Sequence, residues 1–131
     1  MADVDYFLKI KDIEGESEDK NHKNEIDVLS FSWGETQTGS SAYGGGASTG
    51  KINMQDFHFT MKLNKATPKL MLACSTGKAI GDATFVGRKS TGDGQGQEYM
   101  IWKFYDLIIS SYQTGGSGGS DSVPTESISF N

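Results

Sequence analysis

The chain has 131 residues, enough for one domain built around one core. Its formal net charge is −5 at pH 7, with 12 Lys and Arg against 17 Asp and Glu. Binding to nucleic acid or to an anionic membrane surface is therefore not expected, because neutralising phosphate groups takes clustered cations.

The N-terminus, MADVDYFLKIKD, lacks the features of a secretory signal peptide. It has no positively charged stretch followed by an apolar run and a small-residue cleavage site. No segment approaches the roughly 20 apolar residues that span a bilayer. A single cysteine, Cys74, excludes an internal disulfide and fits folding in a reducing cytoplasm. If the protein leaves the cell, we expect a route that does not use the general export signal.

Alternation of apolar and polar residues predicts the first strand, with Tyr6, Leu8 and Ile10 on its buried side. The charged stretch 14–24 that follows is expected to be a solvated loop. Alternation also predicts a short strand over residues 83–88.

Three longer segments change the phase of their alternation partway, as a strand does when a β-bulge inserts one residue. The apolar positions before and after each change are Ile26 and Val28, then Leu29, Phe31 and Trp33; Ile52 and Met54, then Phe57, Phe59, Met61 and Leu63; and Met100, Trp102 and Phe104, then Leu107 and Ile109. Three bent strands predict a mainly β fold, a sheet that curls into a barrel or sandwich.

One short helix is predicted on the flank of this barrel. Thr67 is expected to cap it, Pro68 suits its first position, and Gly77 suits the residue just beyond its end. Its apolar face comprises Leu70, Ala73 and Cys74. About ten residues are too few for a stable isolated helix, so it should pack on the barrel.

The last part of the chain is predicted to hold a hairpin-like turn over residues 92–96 and a final strand over residues 127–131, in which Ile128 and Phe130 alternate with polar residues. Two Gly- and Ser-rich stretches, 39–50 and 115–120, are expected to be flexible loops between strands.

Two motifs match enzyme signatures only in their letters. Gly45, Gly50 and Lys51 fit the start of a phosphate-binding loop, but Ile52 replaces the metal-binding Ser or Thr, and a strand rather than a helix is predicted next. A GxSxG match centred on Ser117 has no histidine after it and no helix pattern, as a nucleophile elbow would need. Hydrolase and nucleotide functions are therefore not favoured.

Binding sites for a metal or a sugar are also weakly indicated. Asp56 and His58 lie two apart on one strand face, but a zinc site wants three or four ligands and His22 is the only other histidine. Trp33 and Trp102 could stack on a sugar, yet both share the phase of core aromatics. No catalytic residue, cofactor site or metal site is predicted, and the function is expected to reside in surfaces that meet other molecules.

Five segments of the chain resemble the haemolysin-coregulated protein (Hcp) family, the tube protein of bacterial type VI secretion. They are DYFLKIKDIEGES (5–17), EIDVLSFSWG (25–34), GKINMQDFHFT (50–60), KATPKLMLACSTGK (65–78) and SSYQTGG (110–116). The matches occur in order over nearly the whole chain.

The resemblance implies a single β-barrel domain over residues 1–131 with one flanking helix. It implies six copies in a hexameric ring and rings stacked into a tube inside a contractile sheath. The implied partners are the sheath and spike proteins and small protein effectors, which are chaperoned in the lumen. It also implies export from the bacterial cytoplasm without a signal peptide, and neither cofactor nor catalytic residue. Family members usually continue past TESISFN (125–131), so the C-terminal strand and tail are expected to be truncated or short in this chain.

Two other functions remain open at this point. One is a free-standing β-barrel binding module, for example one that recognises carbohydrate through exposed aromatic residues. The other is a small enzyme whose site the sequence hides.

Two sets of residues are predicted to act in tube assembly and cargo binding. Ser30 and Ser32 must point away from the core phase of Leu29, Phe31 and Trp33, and we expect them to line the lumen and contact effectors. A projecting loop is expected to contact the neighbouring ring. Its residues are Gly39, Ser40, Ser41, Ala42, Tyr43, Gly44, Gly45, Gly46, Ala47, Ser48, Thr49 and Gly50.

Overall fold

The computed structural model describes residues 4–39, 49–91, 96–119 and 123–131, and ten strands and one helix lie within these ranges. In chain order they are β1 (Val4–Ile10), β2 (Ile26–Val28), β3 (Ser30–Ser32), β4 (Glu35–Gly39), β5 (Thr49–Met54), β6 (Phe57–Lys62), α1 (Thr67–Thr76), β7 (Ile80–Lys89), β8 (Gln97–Leu107), β9 (Ile109–Gly115) and β10 (Thr125–Phe130).

The strands form two four-stranded antiparallel sheets and one two-stranded hairpin. Sheet A has the order β2-β1-β7-β8, sheet B has the order β3-β6-β10-β9, and β4 pairs with β5. The inner faces of sheets A and B meet in one aromatic core. The ring of Phe57 in sheet B lies 5.0 Å from that of Phe85 and 5.3 Å from that of Phe104, both in sheet A. The prediction of a mainly β barrel or sandwich with one flanking helix is confirmed.

Each predicted bulge is instead a point where the chain leaves one sheet and enters another. The chain passes from sheet A to sheet B at Leu29 and again at Ile108, and from the β4–β5 hairpin to sheet B at residues 55–56. Asp106, just before the crossing at Ile108, has a φ of 54°. Such crossings bend the strands around the core.

Five residues that the phase placed in the core are exposed, and Trp33 is the least exposed of them. Leu29 is exposed because it lies at a sheet crossing, and Leu63 because it follows the end of β6. Ile52 and Met54 are exposed because their hairpin is a separate sheet.

The stretch 14–24, predicted to be a solvated loop, packs over the outer face of sheet A. Its backbone folds back on itself, with the Gly15 N–H donating to Asn24 O at 2.8 Å and the Ser17 N–H to Glu25 O at 2.9 Å. A Cβ at Gly15 would lie 2.5 Å from Glu25 O, so this close approach requires glycine. The stretch is a loop and seven of its eleven residues are exposed, as predicted, but Ser17 and His22 are buried.

An aromatic and ionic cluster holds this stretch to the sheet. The His22 ring stacks on Phe7 with centroids 4.3 Å apart, and its two nitrogens lie 3.0 Å from Glu25 and 2.8 Å from Glu98. The guanidinium of Arg88 lies 4.8 Å from the Phe7 centroid and donates to both carboxylate oxygens of Asp19, at 2.8 and 2.9 Å. Phe7 is therefore buried by charged groups rather than by the apolar core.

The ionic contacts also set the acidity of one partner. Hydrogen bonding to Arg88 holds the pKa of Asp19 below its usual value, and the same bond raises that of the Arg88 guanidinium. The pKa of Asp19 is lower in the folded chain than in the unfolded chain. The Asp19–Arg88 pair therefore stabilises the fold at pH values above the ordinary pKa of aspartate. This contribution is lost as the pH falls through the folded-state pKa.

The helix α1 begins differently from its prediction. Its N-cap is Ala66, with no side-chain capping hydrogen bond, and Thr67 is the first helical residue. Asn64 takes over part of the capping role, since its side-chain oxygen accepts the Ala66 N–H at 2.8 Å. Pro68 was predicted at the first helical position and is the second helical residue. The placement of Gly77 just beyond the helix is confirmed; it has a φ of 65° and donates its N–H to the Ala73 carbonyl.

Thr67 instead uses its hydroxyl in the core. It donates to Glu126 Oε1 at 2.6 Å, and the hydroxyl of Tyr112 donates to the other oxygen of the same carboxyl group. Glu126 is fully buried on the inner side of β10. Burial and the bond to Glu126 raise the pKa of Tyr112, which keeps its donor proton in place. This cluster ties α1 to β9 and β10.

The later elements agree with their predictions in type. The strand predicted at 83–88 is the longer β7, and it forms an antiparallel hairpin with β8 around a turn whose residues 92–95 lie outside the described ranges. The final strand is confirmed as β10, with Ile128 and Phe130 buried. On α1, Leu70 and Ala73 are buried and Cys74 is half-buried.

Candidate functional site

The outer face of sheet B is a surface of small polar side chains. One row across the sheet pairs Ser30 with Thr60, Thr60 with Ser127 and Ser127 with Gln113; the next pairs Ser32 with His58, His58 with Ser129 and Ser129 with Ser111. We call this surface the serine face; its exposed or half-buried members are Ser30, Ser32, His58, Thr60, Ser111, Gln113 and Ser127, and its eighth member, Ser129, is buried among them. None of these members is Asp, Glu, Lys or Arg, but the next row on the same side of sheet B holds the exposed Lys62, which pairs with Thr125.

Local pattern explains why these residues point outward. Successive side chains of a strand alternate between faces. Phe31, Phe59 and Ile128 pack inward with the core, so their sequence neighbours must face out. The outward direction predicted for Ser30 and Ser32 is therefore correct, and both side chains are exposed.

Hydroxyl groups of the serine face bond to one another. Ser30 Oγ lies 2.6 Å from Thr60 Oγ1, and Ser111 Oγ lies 2.6 Å from Ser129 Oγ. Beside them is a shallow depression of about 420 Å³ lined by Ser30, Ser32, His58 and Thr60 with three neighbours. Such a surface offers donors and acceptors without a fixed charge, which suits weak contact with varied protein surfaces better than selection of one small ligand.

Asp56 lies at the edge of this face and is already bonded. Its carboxylate accepts from Ser110 Oγ at 2.7 Å and from Asn131 Nδ2 at 2.7 Å, which holds its pKa below the usual value. Across the described ranges, no group of three or more His, Cys, Asp and Glu side chains is arranged to hold a metal ion. The pairing of Asp56 with His58 that the sequence raised thus gains no further ligand from the described residues.

The enzyme-like motifs sit in elements that do not suit their chemistry. Gly50 and Lys51 belong to β5, a strand, rather than to a loop that leads into a helix. Ser117 follows the end of β9 on the way to β10, so no strand-to-helix turn presents it.

The two tryptophans pack on each other rather than forming a flat platform. Their ring centroids are 5.1 Å apart with planes tilted by 57°, and Trp33 Nε1 donates to Gln55 O at 3.0 Å. Trp102 is half-buried against the core, in line with its predicted core phase, whereas Trp33 is 36% exposed. This arrangement of the two tryptophan rings therefore does not suit stacking against a sugar.

The predicted contact loop lies mostly outside the described residues. Residues 40–48 belong to the undescribed part, while Gly39 and Thr49 pair across the β4–β5 hairpin and Gly50 continues β5. The strands thus extend into both ends of the stretch predicted to be a loop. The hairpin is hydrogen-bonded to neither main sheet through its strands, and it exposes Ile52 and Met54.

No α-helix in the described parts of the chain has the length and apolar character needed to cross a membrane.

Comparisons with known proteins agree on one family. The family model described as "Type VI secretion system effector, Hcp" matches residues 7–131. Protein hcp1 of Pseudomonas aeruginosa is 49% identical over 128 residues, which cover 98% of this chain and 78% of the relative. The chain belongs to the Hcp family of type VI secretion proteins.

Solved structures show the same fold. A structure described as a type six secretion system protein superposes with a TM-score of 0.88 at 33% identity, covering 98% of this chain and 78% of that one. Hcp1 from Salmonella typhimurium gives 0.81 at 32% identity, covering 99% and 81%. A type VI secretion system effector from Yersinia pestis gives 0.79 at 38% identity, covering 97% and 83%.

Proposed function

We propose that this chain is a non-enzymatic subunit of the type VI inner tube, in which copies form hexameric rings that stack within the sheath below the spike proteins. The observation that carries the proposal is the serine face, two neighbouring rows of small polar groups that cross sheet B from β3 to β9. Such rows suit the inner wall of a conduit, because their hydroxyl and amide groups can contact water and cargo without a carboxylate or ammonium among them. Family membership supports the same role.

Sheet B could supply the ring contacts as well as the wall. Its edges are β3 on one side and β9 on the other, and neither pairs with a further strand in the described part of the chain. A heterologous contact between the β9 edge of one copy and the β3 edge of the next repeats around a ring and closes when the rotation allows. The serine faces would then join into one wall around the lumen, where small protein effectors travel. Export would start from the bacterial cytoplasm and need no signal peptide.

Light scattering of the purified chain tests ring formation. We expect a mass that corresponds to a closed ring at high micromolar concentration, and ring-shaped particles in negative-stain electron microscopy. A monomer mass throughout that range would contradict ring formation by this chain and would favour a free-standing binding module.

The lumen role of the serine face is tested by Ser32→Gln. The larger polar side chain should narrow the lumen beside His58 and reduce co-purification of effectors. It should leave the free energy of unfolding within about 0.5 kcal/mol, because Ser32 is exposed. Ser75→Gln, on the exposed side of α1, is the matched control and should leave effector recovery unchanged. Undiminished cargo with Ser32→Gln would place this residue outside the binding surface.

The contact role of residues 39–50 is tested by deleting residues 41–47. Glycines 44–46 lose much backbone entropy on ordering, so a neighbouring ring would have to stabilise them. We expect the shortened chain to keep its thermal midpoint and single rings but to form shorter stacks, measured as tube length by electron microscopy. Tubes of unchanged length would show that the segment has another role.

A further inference from the structure

A pocket beside α1, remote from the serine face, combines an apolar floor with three lysines. It has a volume of about 380 Å³ and is formed by the turn after β1, one side of α1 and the segment that leads into β7. The floor is made by Ile13, Ala73 and Ile80, all buried, while Leu72 on its wall is 64% exposed. None of its lining residues belongs to sheet B.

Local backbone geometry brings the lysines together. The turn after β1 is closed by the Ile13 N–H donating to Ile10 O at 3.0 Å, and Asp12 within it has a φ of 65°. Lys69 Nζ reaches the backbone oxygen of Asp12 at 3.4 Å. The Lys11 side chain lies over Gly81, since a Cβ built on that glycine would be in van der Waals contact with Lys11 Cδ, at 3.4 Å.

The positive charge of this pocket is largely uncompensated. Among the described residues, Lys11, Lys69 and Lys78 form no ion pair with a carboxylate, whereas nearby Lys65 pairs with Glu14 at 3.4 Å. The only acidic side chain that lines the pocket is Asp12. Three lysines therefore converge on one cavity in a chain whose net charge is −5.

We propose that this pocket is a docking site for an acidic segment of a partner protein that inserts an apolar side chain. The floor and Leu72 would take the apolar anchor, and the three ammonium groups would meet carboxylates that flank it. Concave apolar sites with a few convergent polar groups are the usual form of binding pockets. The pocket is made by one chain, so the proposal does not depend on ring formation.

The test uses a fluorescein-labelled peptide of Glu, Asp and Leu, acetylated and amidated at its ends, and a matched peptide with Gln and Asn in place of the acids. Fluorescence polarisation should show saturable binding of the acidic peptide that weakens as salt screens the charges. Replacing Lys11, Lys69 and Lys78 together with Gln should weaken binding about tenfold or more. The same change at the exposed Lys9, Lys62 and Lys103 should have little effect.

Two further variants separate this proposal from general charge attraction. Leu72→Ala should weaken binding, whereas Ile101→Ala, which truncates a 52% exposed apolar residue elsewhere, should not. Asp12→Asn should strengthen binding, because it removes the pocket's one carboxylate and Asn tolerates a positive φ. All these residues are exposed, so the variants should fold.

Several outcomes would overturn the proposal. One is that the neutral peptide binds as tightly as the acidic one, and another is that both triple lysine variants lose the same affinity for the acidic peptide. The third is that the unmodified chain binds no peptide up to about 1 mM. The fourth is that phosphatidylglycerol vesicles bind at the pocket in preference to the peptide. The last result would assign the pocket to a lipid surface.

Discussion

Replacing Phe57 with alanine is expected to lower the free energy of unfolding by about 3–5 kcal/mol. The side chain is 1% exposed, and its ring lies 5.0 Å from both Phe85 and Phe130 and 5.3 Å from Phe104. Truncation would leave a cavity where sheets A and B meet, and rigid neighbouring rings cannot readily collapse into it. A loss of this size is a large share of the total stability of a small domain.

Urea unfolding followed by tryptophan fluorescence measures this loss at a protein concentration where the chain does not assemble. Tyr105→Ala is the matched control, since it truncates an aromatic residue that is 67% exposed and should change stability by no more than about 0.5 kcal/mol. A Phe57→Ala variant within 1 kcal/mol of the parent would mean that the sheets do not share this core.

Replacing Thr67 with valine is expected to cost about 1–3 kcal/mol, although the two side chains have nearly the same shape. The substitution removes the hydroxyl that donates to Glu126 at 2.6 Å and accepts the Asn64 N–H at 3.2 Å. Glu126 is fully buried, so water cannot readily replace the lost donor. Tyr112→Phe removes the other donor to the same carboxyl group and should have a similar cost.

Thermal and urea unfolding of the two single variants and the double variant test this cluster. The two losses should not add, because both hydroxyls serve one carboxyl group. Thr76→Val is the control on the same helix: its hydroxyl donates to Leu72 O at an exposed position, and its loss should cost little. Equal effects of Thr67→Val and Thr76→Val would show that the bond to Glu126 contributes no special stability.

Side-chain alternation predicted most of the strands because one face of each is buried. It also gave the outward direction of Ser30 and Ser32, since this depends only on their neighbour Phe31. The left-handed residue after the helix was predictable too, because Gly77 is the residue type that adopts a φ of 65° without strain.

Other features depend on contacts between distant parts of the chain. A sheet crossing and a β-bulge produce the same phase change in the sequence. The sequence alone therefore could not tell whether Leu29 is exposed or buried. The packing of the stretch 14–24 depends on Phe7, Arg88 and Glu98. A sharper clue was missed: Glu126 shares the inward parity of Ile128 and Phe130, which marks a buried carboxyl group in need of donors.

The position of β10 within sheet B has a consequence for synthesis of the protein. Residues 125–130 form an inner strand, flanked by β6 from the middle of the chain and by β9. While these residues are still inside the ribosome, β6 and β9 have no strand to join them, and Phe57 and Phe59 lack their neighbour Phe130. Sheet B can therefore close only after residue 130 has left the ribosome, through non-local pairing of the kind that folds slowly. Nascent chains shorter than this would expose their aromatic core to chaperones, and a copy could enter an assembly only after its synthesis had passed residue 130.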